Sequence, residues 1–365
     1  MTAASSSTPS SASSDLEEAL HTMIKAYFEE TIPAEGGDHA VGLAAGVDLS
    51  SLSNPPLVLD EGSWQTSRFA SMDPHMKAFM SINVKHAMHH CIPLFFDPSM
   101  TARQALELLA RNNFLSAPLR NAEGLILGFV DVIGLLGLLL ANETFGDTPQ
   151  SLPGESLGEL IERSWLTVQS PSLVRSDDSL YRAIEMMSLG HHRLLVTDPH
   201  DNTVVGLITQ SDIVQILNRF PILLGLRATE TLAQSRAFSK DPLSAPQSSS
   251  VLSAIGLITK NAIPAIAILD ANHHLVGSFS ANSVKGFTDC GIASLHDSVS
   301  SFFALNPSIH TLSHLDPTAT LFQAIHLLAE HRAHRIWVAN LEAGGLSLKG
   351  LLSITQLFRS LIQPV

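Results

Sequence analysis

Three short stretches carry residue types that could do chemistry. The first is "GLITQSD" (206–212), in which Gly206, Thr209 and Asp212 stand at a turn into a helix. Such a turn presents free backbone N–H groups and the positive end of a helix dipole, which suits a phosphate. Gly206 allows close backbone approach, and the Asp212 carboxylate can accept hydrogen bonds from ligand hydroxyls. The same Thr209–Asp212 spacing also fits a capping box, and both readings stand at this point. The second feature is the dipeptide His192–Arg193, which returns as His334–Arg335. Arg forks match phosphate geometry bidentately; the competing reading is a solvated or salt-bridged Arg at a strand edge. The third is "VKHAMHHC" (84–91), where His86, His89, His90 and Cys91 could place ligands on one helix face. No second ligand pair follows at metal-finger spacing, so no metal site is expected. The chain has no P-loop, no G-x-G-x-x-G, no G-x-S-x-G and no H-E-x-x-H, and no catalytic residues are expected.

The elements that must position these residues recur. Four helical patterns, "ARQALELLA", "LYRAIEMMS", "VLSAIGLIT" and "LFQAIHLLA", place a small residue at Ala105, Ala183, Ala254 and Ala324. Each is followed by an apolar strand through a glycine: Gly128, Gly206, Gly277 and Gly350. The Ala-to-Gly distances are 23, 23, 23 and 26 residues, the last lengthened around "LEAGGLS". Each unit reads strand, helix, strand, hairpin, strand, helix. "GLILGFVDVIGLLGLLLAN" (124–142) is therefore the last strand and helix of the first unit, not a membrane span; its apolar run is at the short limit for one. Its counterparts carry Gln210, Ser211 and Asp212, or Lys285, or Gln356 and Arg359, as amphipathic helices do.

Composition narrows the classes. The chain is 365 residues long, 45% hydrophobic and 15% charged, with a net charge of −13. That charge argues against nucleic-acid binding through phosphate attraction. Cys91 and Cys290 suggest no disulfide framework and fit a reducing compartment. The expected localisation is cytoplasmic, extending to the nucleus, in preference to a plastid. Residues 1–14 read as a disordered Ser-rich tail without a secretory h-region. Residues 15–79 form an N-terminal extension whose stretch 15–30 reads as one amphipathic helix with Leu16, Leu20, Ile24 and Phe28 on a face.

A unit of this order with a G-x-h-[ST]-x-x-D turn into its last helix resembles the cystathionine-β-synthase (CBS) domain. Four in one chain without a catalytic domain resemble the gamma regulatory subunit of AMP-activated (SNF1-related) protein kinase. "RFP" (219–221), "ATETL" (228–232), "HHRLLVTDP" and "AEHRAHRIWV" also resemble that family. The resemblance implies an α/β fold of four CBS repeats, at 80–142, 156–218, 226–288 and 294–363, paired into two Bateman modules that form a disk. It implies that Asp212 holds ribose with Gly206 and Thr209, that His192, Arg193, His334 and Arg335 hold phosphates, and that Leu173, Val174 and Leu194 form an adenine slot. The other three units depart from the pattern. Asp131 stands at the hydroxyl position of the first, Ser280 and Ser283 at the pair of positions in the third, Ser353 and Gln356 in the fourth. These make weaker sites; Ser283 and Gln356 can still hydrogen-bond a ribose, but as neutral partners they bind less strongly.

The resemblance thus implies an adenine-nucleotide-binding regulatory subunit of a heterotrimeric kinase, with catalytic alpha and scaffold beta subunits as partners and no nucleic-acid or membrane partner. The ligand is AMP, ADP or ATP, with S-adenosylmethionine left open, and there is no catalytic cofactor. The alternative, suggested by the departures from the pattern, is an interaction scaffold with eroded sites that regulates a phosphatase or a metabolic enzyme. An enzyme is not expected.

Overall fold

The computed structural model describes residues 79–89, 93–112, 114–144, 154–164, 166–281, 283, 295–307 and 312–362. The expected tail 1–14, the amphipathic stretch 15–30, His90, Cys91 and Cys290 lie outside the described residues.

Among the described residues four small sheets carry the fold. The first consists of β1 (Ser116–Arg120) and β2 (Ile126–Asp131), between helices α1 (Ala102–Arg111) and α2 (Val132–Thr144). The second unit runs α3 (Leu157–Glu162), β3 (Leu173–Arg175), α4 (Leu180–Ser188), β4 (Arg193–Thr197), β5 (Val204–Thr209) and α5 (Gln210–Arg219). The third runs α6 (Leu232–Ser235), β6 (Ser244–Pro246), α7 (Val251–Lys260), β7 (Ala265–Leu269) and β8 (Leu275–Ser280). The fourth runs α8 (Val299–Leu305), β9 (His314–Leu315), α9 (Leu321–Glu330), β10 (Arg335–Glu342), β11 (Gly345–Ser353) and α10 (Ile354–Ile362). In the three-stranded sheets the first strand runs parallel to the middle one, and the last runs antiparallel to it. A parallel bridge from Phe96 to Leu119 supplies the same contact in the first unit.

Local chemistry explains the elements. Thr101, Ser179, Ser250 and Thr320 each cap the helix that follows, accepting from a backbone N–H three residues on. Ala105, Ala183, Ala254 and Ala324 are all fully buried. A larger side chain there would overpack the helix by about 1–3 kcal/mol. The apolar run 124–142 resolves into β2 and α2, and no helix among the described residues is long and apolar enough to cross a membrane.

The repeated glycines have a shared job. In all four hairpins the middle strand pairs with the glycine and the register then slips: Leu119 opposite Gly128, Val196 opposite Gly206, Ile268 opposite Gly277, Val338 opposite Gly350. Leu127, Val205, Val276 and Lys349 are therefore the extra residues of four β-bulges. At three of the glycines a segment of another unit crosses the strand. A Cβ on Gly206 would meet the carbonyl oxygen of His89, one on Gly128 that of Gln169, and one on Gly350 that of Ser239. The crossing segment bridges the residue after the glycine each time: His89 to Leu207, Gln169 to Phe129, Ser239 to Leu351.

These crossings pair the units. The first and second exchange lead-in segments, and bridges from Asn83 to Ser179 and from Thr101 to Ser156 complete the exchange. The third and fourth do likewise through Thr231–Thr320 and Ser250–Ser298. Within each pair the sheets face one another: Ile126, Phe129 and Leu195 in one, Ala267, Leu275, Trp337 and Ala339 in the other. Helices then join the pairs. α4 packs on α10 and α5 on α9, uniting the second and fourth units, while α2 packs on α7, uniting the first and third. The two largest cores follow that division.

Candidate functional site

Each unit brings the same two positions together: the start of its middle strand and the end of its last strand. Arg193 pairs with Thr209, Arg335 with Ser353, Ser116 with Asp131 and Ala265 with Ser280. The residue before the middle strand then accepts from the first N–H of the segment that follows the last strand. These bonds are Gln210 to His192, Ile354 to His334, Val132 to Leu115 and Ala281 to Pro264. The sequence-derived basic dipeptides thus sit beside the hydroxyl positions, at the mouth of a helix N-terminus in the second and fourth units.

The turns that follow the last strands are closed by the residues read as ribose ligands. Asp212 Oδ2 accepts from the Thr209 backbone N–H at 2.7 Å and from its hydroxyl at 2.8 Å. In the fourth unit the Ser353 N–H donates to Gln356 at 2.9 Å and the Gln356 N–H donates to Ser353 at 3.2 Å. In the third the Ser280 N–H donates to the buried Ser283 hydroxyl at 3.1 Å. In the first the Gly134 N–H donates to Asp131 at 2.7 Å. Capping is the use these side chains have in the structure.

The remaining oxygens of the two acids are also engaged. His89 Nε2 lies 2.8 Å from Asp212 Oδ1, and Gln169 Nε2 donates to Asp131 Oδ2 at 2.9 Å. His89 and Gln169 are the equivalent residues that cross Gly206 and Gly128. The Asp212 hydrogen bond raises the His89 pKa above 6.5 against the opposing pull of burial. Burial raises the Asp131 pKa, against the Gly134 N–H and the nearby His192 and Arg193 charges.

The cations converge. Arg193 donates from Nη1 to the Ser116 carbonyl of the first unit, and its Nε is buried without a partner among the described residues. Burial lowers its pKa to about 10, opposed by Asp131 and Asp212. Burial alone lowers that of Arg335 to about 10. Arg335 makes no hydrogen bond or ion pair among the described residues. Both arginines keep partial solvent contact although protein crowds them. Burial lowers the pKa of His192; the charges of Arg193 and Arg335 push the same way, while a 3.1 Å contact with Gln210 Oε1 and the Asp131 charge oppose it. Gln210 in turn donates to Thr355 Oγ1 at 2.9 Å, and Arg359 donates to the Ser188 carbonyl at 3.1 Å. His192, Arg193, Arg335 and Asp131 therefore form one electrostatic cluster spanning three units.

The expected adenine slot is not assembled as drawn. Val174 and Leu194 are buried in the helix-facing core, whereas Leu173 packs with Leu195 in the sheet-to-sheet layer. Side chains alternate across a strand, so neighbours such as Leu173 and Val174 cannot share a face. Among the described residues no group of three metal-ligating side chains forms. Sequence reasoning missed His89 as the partner of Asp212, and Gln169 as that of Asp131. The one available signal was their common placement ahead of each first strand.

Comparison with known proteins bears on this geometry. Residues 168–219 match the family model of the CBS domain. The chain contains a CBS domain. The described chain as a whole has a CBS-like fold: a Methanocaldococcus jannaschii protein described as a candidate archaeal homologue of gamma-AMPK superposes with a TM-score of 0.61. That match has 12% identity over 76% of this chain and 99% of the other. Among curated proteins, protein SDS23 of Eremothecium gossypii is 21% identical over 85% of this chain and 69% of the relative. Protein SDS23 of Kluyveromyces lactis is 23% identical over 89% and 70%. The alignment to protein SDS23 of Candida albicans spans 28% of that relative. These curated relatives bear the name SDS23, not that of a kinase gamma subunit.

Proposed function

We propose that this chain is a non-catalytic regulatory protein that binds the phosphate of an adenine nucleotide between its second and fourth units. The carrying observation is Arg335, a crowded guanidinium with no carboxylate or hydrogen-bond partner among the described residues, whose charge reaches His192 of the second unit. Burying an unpaired charge is costly, and a phosphate would offset that cost. Gly206, Thr209 and Asp212 would receive the ribose, with His334 as a further phosphate ligand and Ser280, Ser283, Ser353 and Gln356 as weaker positions. The proposed division into four repeats pairs them as two modules. The finer assignment is a gamma-type subunit of an AMP-activated kinase, acting on catalytic and scaffold subunits through whichever conformation the ligand favours.

A second reading has its own support. Asp212 and Asp131 are both occupied by side chains of the paired unit, and the curated relatives are SDS23 proteins. A scaffold that regulates a phosphatase or a metabolic enzyme without nucleotide fits both facts.

Isothermal titration calorimetry of the full chain with AMP, ADP and ATP, with adenosine as control, decides between them. The nucleotide reading expects micromolar AMP binding that Arg335→Ala and Arg193→Ala weaken more than they weaken adenosine binding. Absence of binding at millimolar ligand rejects it and leaves the scaffold.

A further inference from the structure

The contact between His89 and Asp212 is more than a surface ion pair. Asp212 is nearly buried, with its side chain 12% exposed, while the imidazole covering it is 45% exposed. One carboxylate oxygen is committed to the Thr209 cap, and among the described residues His89 is the one side chain bonded to the other. His89 reaches it from the lead-in of the first unit, 123 residues away in sequence. Its backbone is pinned independently: its N–H donates to the Leu207 carbonyl at 2.9 Å, and its own carbonyl crosses Gly206. The imidazole can therefore swing into solvent while the strand crossing stays in place. The equivalent lead-in residue of the second unit, Gln169, makes the same reach to Asp131. Two paired units thus hold each other's acid by one geometry, but only His89 is ionisable.

We propose that His89 is a gate on Asp212: its imidazole occupies the carboxylate oxygen that a ribose diol would take, so a nucleoside ligand binds the second unit by displacing a side chain of the first. This rests on the nucleotide reading above, and it adds a coupling between paired units that the reading does not contain. A ligand at Asp212 must break a charge-assisted hydrogen bond before making its own, so the gate lowers affinity and ties occupancy to the position of the lead-in segment. Removing the imidazole frees the oxygen without touching the backbone bridge.

The test is calorimetry of the full chain with AMP and with 2′,3′-dideoxy-AMP, comparing wild type, His89→Ala and His89→Gln. The gate expects His89→Ala to bind AMP about tenfold tighter, His89→Gln to fall between, and the dideoxy analogue to change little. A His89 NMR titration supplies a second readout: the gate expects saturating AMP to bring the raised pKa back toward 6.5. Equal AMP affinity in wild type and both variants overturns the gate while leaving the nucleotide reading standing. Weaker binding by His89→Ala also overturns it, by making His89 a ligand contact. Silence of all three proteins at millimolar AMP overturns both ideas together.

Discussion

Arg335→Met separates stability from binding at one residue. Met keeps the apolar stem that Arg packs with and removes the guanidinium. Burial alone pulls the Arg335 pKa well below the usual guanidinium range, to about 10. At about 1.4 kcal/mol per pKa unit this gives an upper figure of about 3 kcal/mol, which residual solvent contact reduces to about 1–2 kcal/mol. A cation whose folded pKa is depressed destabilises the fold wherever it is charged, so the cost persists through neutral pH and is relieved only as pH rises through about 10. Urea unfolding at pH 7, followed by circular dichroism, should therefore show Arg335→Met more stable than wild type by about 1–2 kcal/mol. Adding AMP at a hundredfold excess over its Kd should stabilise wild type by about 2.7 kcal/mol and leave the variant unmoved. A ligand-free variant less stable than wild type by more than about 1 kcal/mol would refute the reasoning, because the chain itself would then be satisfying the guanidinium.

Three further outcomes follow from the structure. Gly206→Ala should destabilise by about 1–3 kcal/mol, since the added Cβ meets the His89 carbonyl. Gly256→Ala, in the middle of α7 with nothing within 4 Å, should stabilise by about 0.5–1 kcal/mol; thermal unfolding of the two variants checks the opposite signs. The raised pKa of His89 predicts that its pairing with Asp212 stabilises the fold fully below pH 6.5 and that this contribution is lost as pH rises through the folded pKa. Burial lowers the pKa of His191 and of His192, giving the opposite slope. The difference between wild type and His89→Gln, measured by urea unfolding across pH 5.5–8.5, isolates the first effect; a flat difference would remove the ion pair from the account.

Much of the architecture was legible because it is local and repeated. The Ala-to-Gly spacing marks a helix seated on a hairpin, and both ends obey short-range rules: helix faces recur every three or four residues, and strands alternate. That was enough to resolve the apolar run 124–142 into a strand and a helix. It was enough, too, to place the His-Arg dipeptides at equivalent strand starts in two units. The capping role of Thr209 and Asp212 was visible as one of two readings, since a cap needs only residues three apart.

What lay beyond the sequence are the contacts between distant segments. The glycines of three hairpins mark a close approach, but not that the approaching backbone is the lead-in of a paired unit instead of a ligand. No local pattern joins His89 to Asp212, Gln169 to Asp131 or Gln210 to Thr355. Which strand face meets the helices and which meets the opposing sheet divided Leu173 from Val174, and that choice is made by the pairing of whole sheets. The convergence of Arg193, Arg335 and His192 is of the same kind. Propensity and spacing act over a few residues, whereas these arrangements are set by which surfaces bury one another, and that is settled only when the chain has closed on itself.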